Sequence, residues 1–184
     1  MASAQVAIPH NFHAILKDAD SKIDTSSTEK VFKQLQSGVF LKNKQQIFAR
    51  GLIYEGGQWV WYFDSGVEVA ELLTGTRFKV TGYFETSLLS RGKKYDVSFI
   101  IKMKNYAQGW ENPVTMEFDL PTGETKKITP DLSVQTPEVW VKHTIGDFTV
   151  PAKGMSGVMK IFLSSSDDKN KKGIVIREID ITAK

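Results

Sequence analysis

Hydrophobic positions along the chain follow two different rules, and the change falls near residue 46. Before it, apolar residues are sparse and helically spaced. Val31, Phe32 and Leu35 fall on one helical face. Ser26-Ser27-Thr28-Glu29 stands ahead of them in capping-box order. There Ser26 would accept from the backbone N–H of Glu29, and Glu29 would reach back to that of Ser26. Gly38 supplies a stop. A shorter helix is predicted after Asn11, with Phe12, Ile15 and Leu16 inward, and 18–27 reads as a polar connector. A segment this small cannot bury a core of its own. Residues 1–45 are therefore expected to form an extension with one or two short helices that packs onto the rest.

From Gln46 onward the period is two. Phe78, Val80 and Phe84 alternate with Lys79, Thr81 and Glu85. Tyr95, Val97, Phe99, Ile101 and Met103 alternate with Asp96, Ser98 and Lys102, and Val114, Met116, Phe118 and Leu120 with Thr115, Glu117 and Asp119. Each run predicts a strand with one face in a core and one in water. Ile47 to Tyr54, Val139 to Ile145, Val158 to Leu163 and Ile174 to Ile181 are further strand candidates. Turn clusters separate them at Ser90-Arg91-Gly92, Pro121-Thr122-Gly123, Pro151 to Gly154 and Ser164 to Gly173. Many short strands with regular turns predict an all-β sandwich or barrel over residues 46–184.

Composition narrows the function classes. The 184 residues carry a net charge of +3, too little to imply nucleic acid or an anionic membrane on its own. Lys169 to Lys172 reads as a solvated loop tip. With no cysteine, disulfides, thiolate zinc sites and cysteine nucleophiles are excluded. No apolar run reaches the roughly 20 residues a membrane-spanning helix needs. Met1 to Leu16 lacks the basic and apolar regions of a signal peptide, since His10, Asn11 and His13 interrupt it. The expectation is a cytosolic protein small enough to enter the nucleus.

Catalytic chemistry finds little support. His10 and His13 have helical spacing, but no carboxylate pair completes a metal site, and His143 falls on the outer side of a predicted strand. Gly154 to Gly157 lacks the Lys-Ser/Thr of a phosphate loop, and no nucleophile elbow or His-Glu-x-x-His is present. Glu68 and Glu71 are the remaining carboxylate pair. In a strand their odd separation puts them on opposite faces; in a helical turn they would be neighbours. A non-catalytic protein without metal or cofactor is expected.

The least ordinary stretch is Tyr54-Glu55-Gly56-Gly57-Gln58-Trp59-Val60-Trp61-Tyr62-Phe63, which holds two of the four tryptophans. In a strand, Trp59, Trp61 and Phe63 share one face. Such rings either fill a core or offer an apolar platform on which the C–H face of a sugar stacks.

These residues carry a family resemblance. Phe48-Ala49-Arg50-Gly51-Leu52 and the aromatic segment resemble the opening of the phloem protein 2 / Nictaba-like plant lectin domain. Further matches follow in the family's order: Glu68-Val69-Ala70-Glu71-Leu72, Val80-Thr81-Gly82, Tyr95 to Phe99, Gly109-Trp110-Glu111-Asn112-Pro113-Val114, Leu120-Pro121-Thr122-Gly123, Trp140 to Phe148 and Lys172 to Ile176. The resemblance spans roughly residues 27 to 183. It implies a jelly-roll-like β-sandwich that binds N-acetylglucosamine oligomers or the core of N-glycans, free or on glycoproteins. It also implies a nucleocytoplasmic place in a plant cell, or in phloem sap, and a homodimer. Carried onto this chain, the sugar site comprises Tyr54, Trp59 and Trp61 as rings and Asp167, Asn170 and Lys171 as hydrogen-bonding groups. Several positions depart from the family pattern. Tyr54 stands where the family has Trp, the loop at Glu55 to Gln58 is shorter, and Asn170-Lys171-Lys172-Gly173 replaces Trp-Lys-x-Gly. The alternative is therefore a protein- or RNA-interaction module on a lectin fold with weakened sugar binding. The family's association with filament proteins and RNA supplies that alternative's partners.

Overall fold

The computed structural model describes residues 22–27, 30, 31, 39–41, 46–48 and 52–184. Its strands are β1 (Val39–Leu41), β2 (Gln46–Phe48), β3 (Ile53–Glu55), β4 (Gln58–Asp64), β5 (Val67–Thr74) and β6 (Phe78–Glu85). They continue as β7 (Lys94–Gln108), β8 (Thr115–Asp119), β9 (Thr125–Ile128), β10 (Trp140–Thr149), β11 (Val158–Ser165) and β12 (Lys172–Ala183). Two antiparallel five-stranded sheets result, one ordered β10-β7-β12-β5-β4 and the other β3-β6-β11-β8-β9; β1 and β2 form a separate ladder. Between β3 and β12 the chain changes sheet at every connection except the β4–β5 and β8–β9 hairpins. This is the all-β, jelly-roll-like sandwich that the alternation and the resemblance imply.

The alternating apolar residues form the layer between the sheets. Val97, Phe99 and Ile101 of β7, Met116 and Phe118 of β8 and Ile174, Ile176, Ile179 and Ile181 of β12 are essentially inaccessible and belong to one cluster. Burying each such side chain contributes roughly 1.5–3 kcal/mol. The β4–β5 hairpin turns at Ser65-Gly66, whose φ angles of 51° and 80° suit the right-handed twist of the flanking strands.

Several expectations need correction. The single strand expected over Ile47 to Tyr54 is two: β2 pairs with β1, whereas β3 joins β6 in a sheet. Glu68 and Glu71 lie in β5, so they sit on opposite faces and form no pair across a cleft. β9, Thr125-Lys126-Lys127-Ile128, is a strand without a hydrophobic alternation; it forms because β8 supplies a ladder across a short turn. Near the N-terminus, Ser27 Oγ accepts from Lys30 N at 3.2 Å, so the helix is capped one residue after Ser26. Glu29, most of the predicted helix beyond Val31 and the helix after Asn11 lie outside the described residues. Among the described residues no helix is long and apolar enough to cross a membrane.

Candidate functional site

The connection from β3 to β4 carries the chain from one sheet to the other within Gly56-Gly57. Both glycines have positive φ, 75° and 73°. A Cβ on Gly56 would stand 2.2 Å from the carbonyl oxygen of Arg77, and one on Gly57 would stand 2.6 Å from Leu72 Cδ1. No other residue fits this crossing. The tight turn places Trp59 where its Nε1 donates to the Gly56 carbonyl at 2.9 Å.

Trp59 is the middle of an aromatic ladder. Its ring centroid lies 4.8 Å from Tyr54 and 5.7 Å from Phe78. Tyr54 meets Trp61 edge-on at 5.3 Å, and Phe78 meets Trp110 at 5.9 Å. These separations lie within the range in which edge-to-face and tilted pairs attract. The ladder runs from outside to inside: Trp61 is 42% exposed and Trp110 only 3%. Trp110 is further fixed by its Nε1 donating to the Lys172 carbonyl at 2.9 Å. Trp59 and Tyr54 are half-buried and pack against the core from its edge. The choice between core and platform that the sequence leaves open therefore resolves by position: Trp110 is core, Trp59 is shared, and Trp61 is surface.

The loop after β11 folds back toward the same end. Asn170 Oδ1 accepts from Thr74 Oγ1 at 2.8 Å and from the Gly75 amide at 3.1 Å. Lys171 N donates to Gly75 O at 2.7 Å, completing a bridge between this loop and the end of β5. Thr74 is in turn the register partner of Gln58. The Gly56–Gln58 turn, Thr74–Gly75 and the 167–171 loop thus converge. Arg77, whose carbonyl abuts Gly56, holds Asp168 through Nε at 3.0 Å and Nη2 at 2.9 Å.

Inside the loop, Asp167 and Lys171 face each other. The Lys171 ammonium is wholly buried and donates to Asp167 Oδ1 and, at 2.9 Å, to the Lys169 carbonyl. Asp167 also accepts from Lys169 N at 2.9 Å and from Asn112 Nδ2 at 3.3 Å. The hydrogen bond from Lys171 is the main reason its carboxyl is held below the ordinary range. Lys171 therefore departs from the solvated tip expected of Lys169 to Lys172: its charge is internal, and the loop wraps around it.

Next to Asn170 opens a cleft of about 740 Å³, lined among others by Gln108, Trp110, Glu111, Gln135 and Lys169. The Gly109 turn presses against the Asn170 backbone, so cleft and rim share one wall. The pattern of the sequence carries no signal for this cleft, because its walls come from three separate segments, the end of β7 with the turn after it and two loops. His143, expected on the outer face, is half-buried and hydrogen-bonded to Gln135 at 2.8 Å; burial lowers its pKa. Among the described residues no cluster of three metal-ligating side chains occurs.

A two-sheet β-sandwich with rings graded from core to surface, beside a braced polar loop, is the build of a binding module. The family model of phloem protein 2 matches residues 49–183. The chain belongs to the phloem protein 2 family, a family of non-catalytic binding proteins. It is 32% identical to phloem protein 2-like A1 of Arabidopsis thaliana in an alignment covering all of this chain and 85% of that protein. It is 26% identical to a protein named lectin from Luffa acutangula, covering 100% of this chain and 99% of that one. Among solved structures, a family 4 carbohydrate-binding module superposes with a TM-score of 0.43 at 12% identity, covering 72% of this chain and 86% of the module.

Proposed function

We propose that the chain is a lectin that binds a glycan at the rim formed by Tyr54, Trp59, Trp61 and the 167–171 loop. The observation that carries this reading is the pinned, half-buried Trp59, which follows the turn whose Gln58 pairs with Thr74, the residue that Asn170 holds. A ring locked by its own N–H loses little freedom when a ligand stacks on it, so ordering costs less of the binding energy. Tyr54 and Trp61 extend the apolar surface on one side. Asn170 spends its carbonyl on Thr74 and Gly75, which orients its amide N–H₂ as a donor for a hydroxyl or acetamido oxygen. Asp167 and Lys171 act one step back: their ion pair gives the loop its shape.

The ligand we infer is an N-acetylglucosamine oligomer or the core of an N-glycan, in keeping with the lectin relatives of the family. Glycoproteins of the cytosol, nucleus or phloem sap are the corresponding partners, and a homodimer would present two such rims. A titration of intrinsic tryptophan fluorescence with chitotriose tests the assignment. Saturable change that disappears in Trp59→Ala supports it; a flat titration at millimolar chitotriose overturns it.

One observation favours a second reading, a protein-interaction module. Trp61 and Phe63, 42% and 62% exposed, lie on β4, the outermost strand of its sheet among the described residues. An edge strand bearing exposed rings can accept a partner strand. Burial of Lys171 removes a cation from the loop, which weakens the RNA version of this alternative. A partner captured by the wild type and lost in Phe63→Lys, with chitotriose titration flat, would select it.

A further inference from the structure

The structure assigns a second glycan-binding surface to the outward face of the β10-β7-β12-β5-β4 sheet, running across the strands from Tyr62 and Tyr106 to Trp140, and its ligand is a neutral, extended oligosaccharide. The strand registers place Trp140, Lys102, Val175, Glu71 and Val60 side by side in one row across five strands. At ordinary strand spacing this row is about 19 Å long. It lies on the face of β4 opposite Trp59, because Val60 and Tyr62 alternate with Trp59 and Trp61. The surface is therefore separate from the rim.

An outward sheet face is ordinarily a set of solvated, independent side chains. Here Val69, Glu71 and Val175 are 1%, 5% and 0% exposed although they point away from the core. The larger side chains of the same face are tied to one another. Tyr106 Oη donates to Glu71 Oε1 at 2.7 Å. Tyr62 also reaches Glu71, whose carboxylate adds to burial in holding the Tyr62 phenol protonated. Lys102 pairs with Asp64, and its ammonium stands 4.5 Å from the centre of the Trp140 ring. The Arg177 guanidinium lies 5.9 Å from the same ring. Lys104 pairs with Glu138 at 3.1 Å.

This arrangement states what it can bind. The charges nearly cancel, Asp64, Glu71, Glu138 and Glu178 against Lys102, Lys104 and Arg177, so the row offers no field for an anionic chain. The groups are held in place yet keep hydrogen-bonding capacity. A carboxylate accepts at about four positions, an ammonium donates three times and a phenol oxygen still accepts. Trp140 on β10 and Tyr62 on β4 offer rings at the two ends, and Tyr106, 47% exposed, brings a third ring from β7 to Glu71. Rings spaced along a straight row of preset donors and acceptors match the alternation of apolar C–H faces and hydroxyls along an extended, β-linked glycan.

Backbone amide NMR of the whole chain, titrated separately with cellopentaose and chitopentaose, tests this. Saturable shifts are expected at Tyr62, Glu71, Lys102 and Trp140 with at least one of the two. Trp59→Ala should leave them in place, whereas Tyr106→Ala, a change at an exposed ring, should weaken them about tenfold. Shifts at the rim alone would overturn the second surface and leave the first reading standing. Shifts at the sheet face alone would do the reverse. A heparin-derived anionic oligosaccharide moving the sheet-face amides at lower concentration than both neutral chains would overturn the neutral assignment. So would the absence of any sheet-face shift at millimolar ligand.

Discussion

Lys171 buries its ammonium against the Asp167 carboxylate, four residues earlier in the same loop. The two partners are not equivalent. Lys171 is wholly inaccessible, whereas the Asp167 side chain is 23% exposed and has further partners in Lys169 N and Asn112. Removing the carboxylate charge strands a buried cation; removing the ammonium leaves an anion that water still reaches. Asp167→Asn is therefore expected to destabilise by about 3 kcal/mol. Lys171→Met, which fills the same channel without charge, should cost about 1 kcal/mol. Urea denaturation of the two variants checks the order. The pair also sets an acid limit. Because the folded carboxyl titrates below its unfolded value of about 3.9, the stabilisation is present above that pH. It is lost as the pH falls through the folded value, and in Asp167→Asn this part of the acid dependence should vanish.

The Gly56-Gly57 crossing predicts a contrast between glycines. Gly66 also has positive φ, 80°, but a Cβ there meets nothing within 4 Å. Gly66→Ala is expected to cost about 1 kcal/mol, the conformational strain alone. Gly56→Ala adds a 2.2 Å collision with the Arg77 carbonyl, a backbone atom that cannot step aside by a rotamer change. It should cost more than about 2 kcal/mol. It should also change the tryptophan emission, since the carbonyl that holds Trp59 Nε1 belongs to this residue. Thermal unfolding and fluorescence of both variants measure the difference.

How much of this was legible follows from how each feature is encoded. Strands β7 and β8 have inward residues fixed by a period-two pattern, and Val97 and Phe118 are where that pattern puts them; in β12 an irregularity after Ile176 shifts the inward set to Ile179 and Ile181. β9 is not legible, because its pairing is imposed by β8 and Lys126 and Lys127 carry no apolar signal. The ring segment was conspicuous, but its grading from Trp110 inward to Trp61 outward depends on which strand lies at a sheet edge, a property of topology. Lys171 shows the limit most clearly. In sequence it is one of several lysines in a polar turn; only the folding of Asp167 and the Lys169 carbonyl around it makes it internal. The cleft beside Asn170 has the same character, assembled from segments far apart in the chain.

Trp59 allows its hydrogen bond and its ring to be separated. Trp59→Phe keeps a ring but loses the donor to Gly56, so the ring is freed to rotate. Chitotriose affinity is expected to fall about tenfold, or ~1.4 kcal/mol, with the fold little changed. Trp59→Ala removes the ring as well, opens space against Tyr54 and Phe78, and should destabilise by about 3 kcal/mol. Calorimetric titration and denaturation on both variants distinguish anchoring from stacking. Equal affinity in wild type and Trp59→Phe would show that the indole hydrogen bond does not preset the ring.

The outward sheet face makes a prediction at the alkaline end. Tyr62 is pushed up to about 12, first by burial and then by the negative charge of Glu71, and Tyr106 is displaced upward by burial, by its hydrogen bond to Glu71 and by that group's charge. The ordinary phenol value is about 10. In the folded state both should therefore remain protonated when the unfolded chain has begun to ionise. Between these values the unfolded state binds fewer protons than the folded one, so stability falls as pH rises from about 10 toward 12. Glu71→Gln removes the charge but leaves the burial. It should move both phenols part of the way back toward the ordinary value and make the alkaline loss of stability shallower. Spectrophotometric titration of phenolate absorbance in wild type, Tyr62→Phe and Glu71→Gln reads this directly. A Tyr62 that ionises with an unshifted midpoint in the wild type would mean that Glu71 does not hold the two rings together, and the preset row across the sheet would lose its centre.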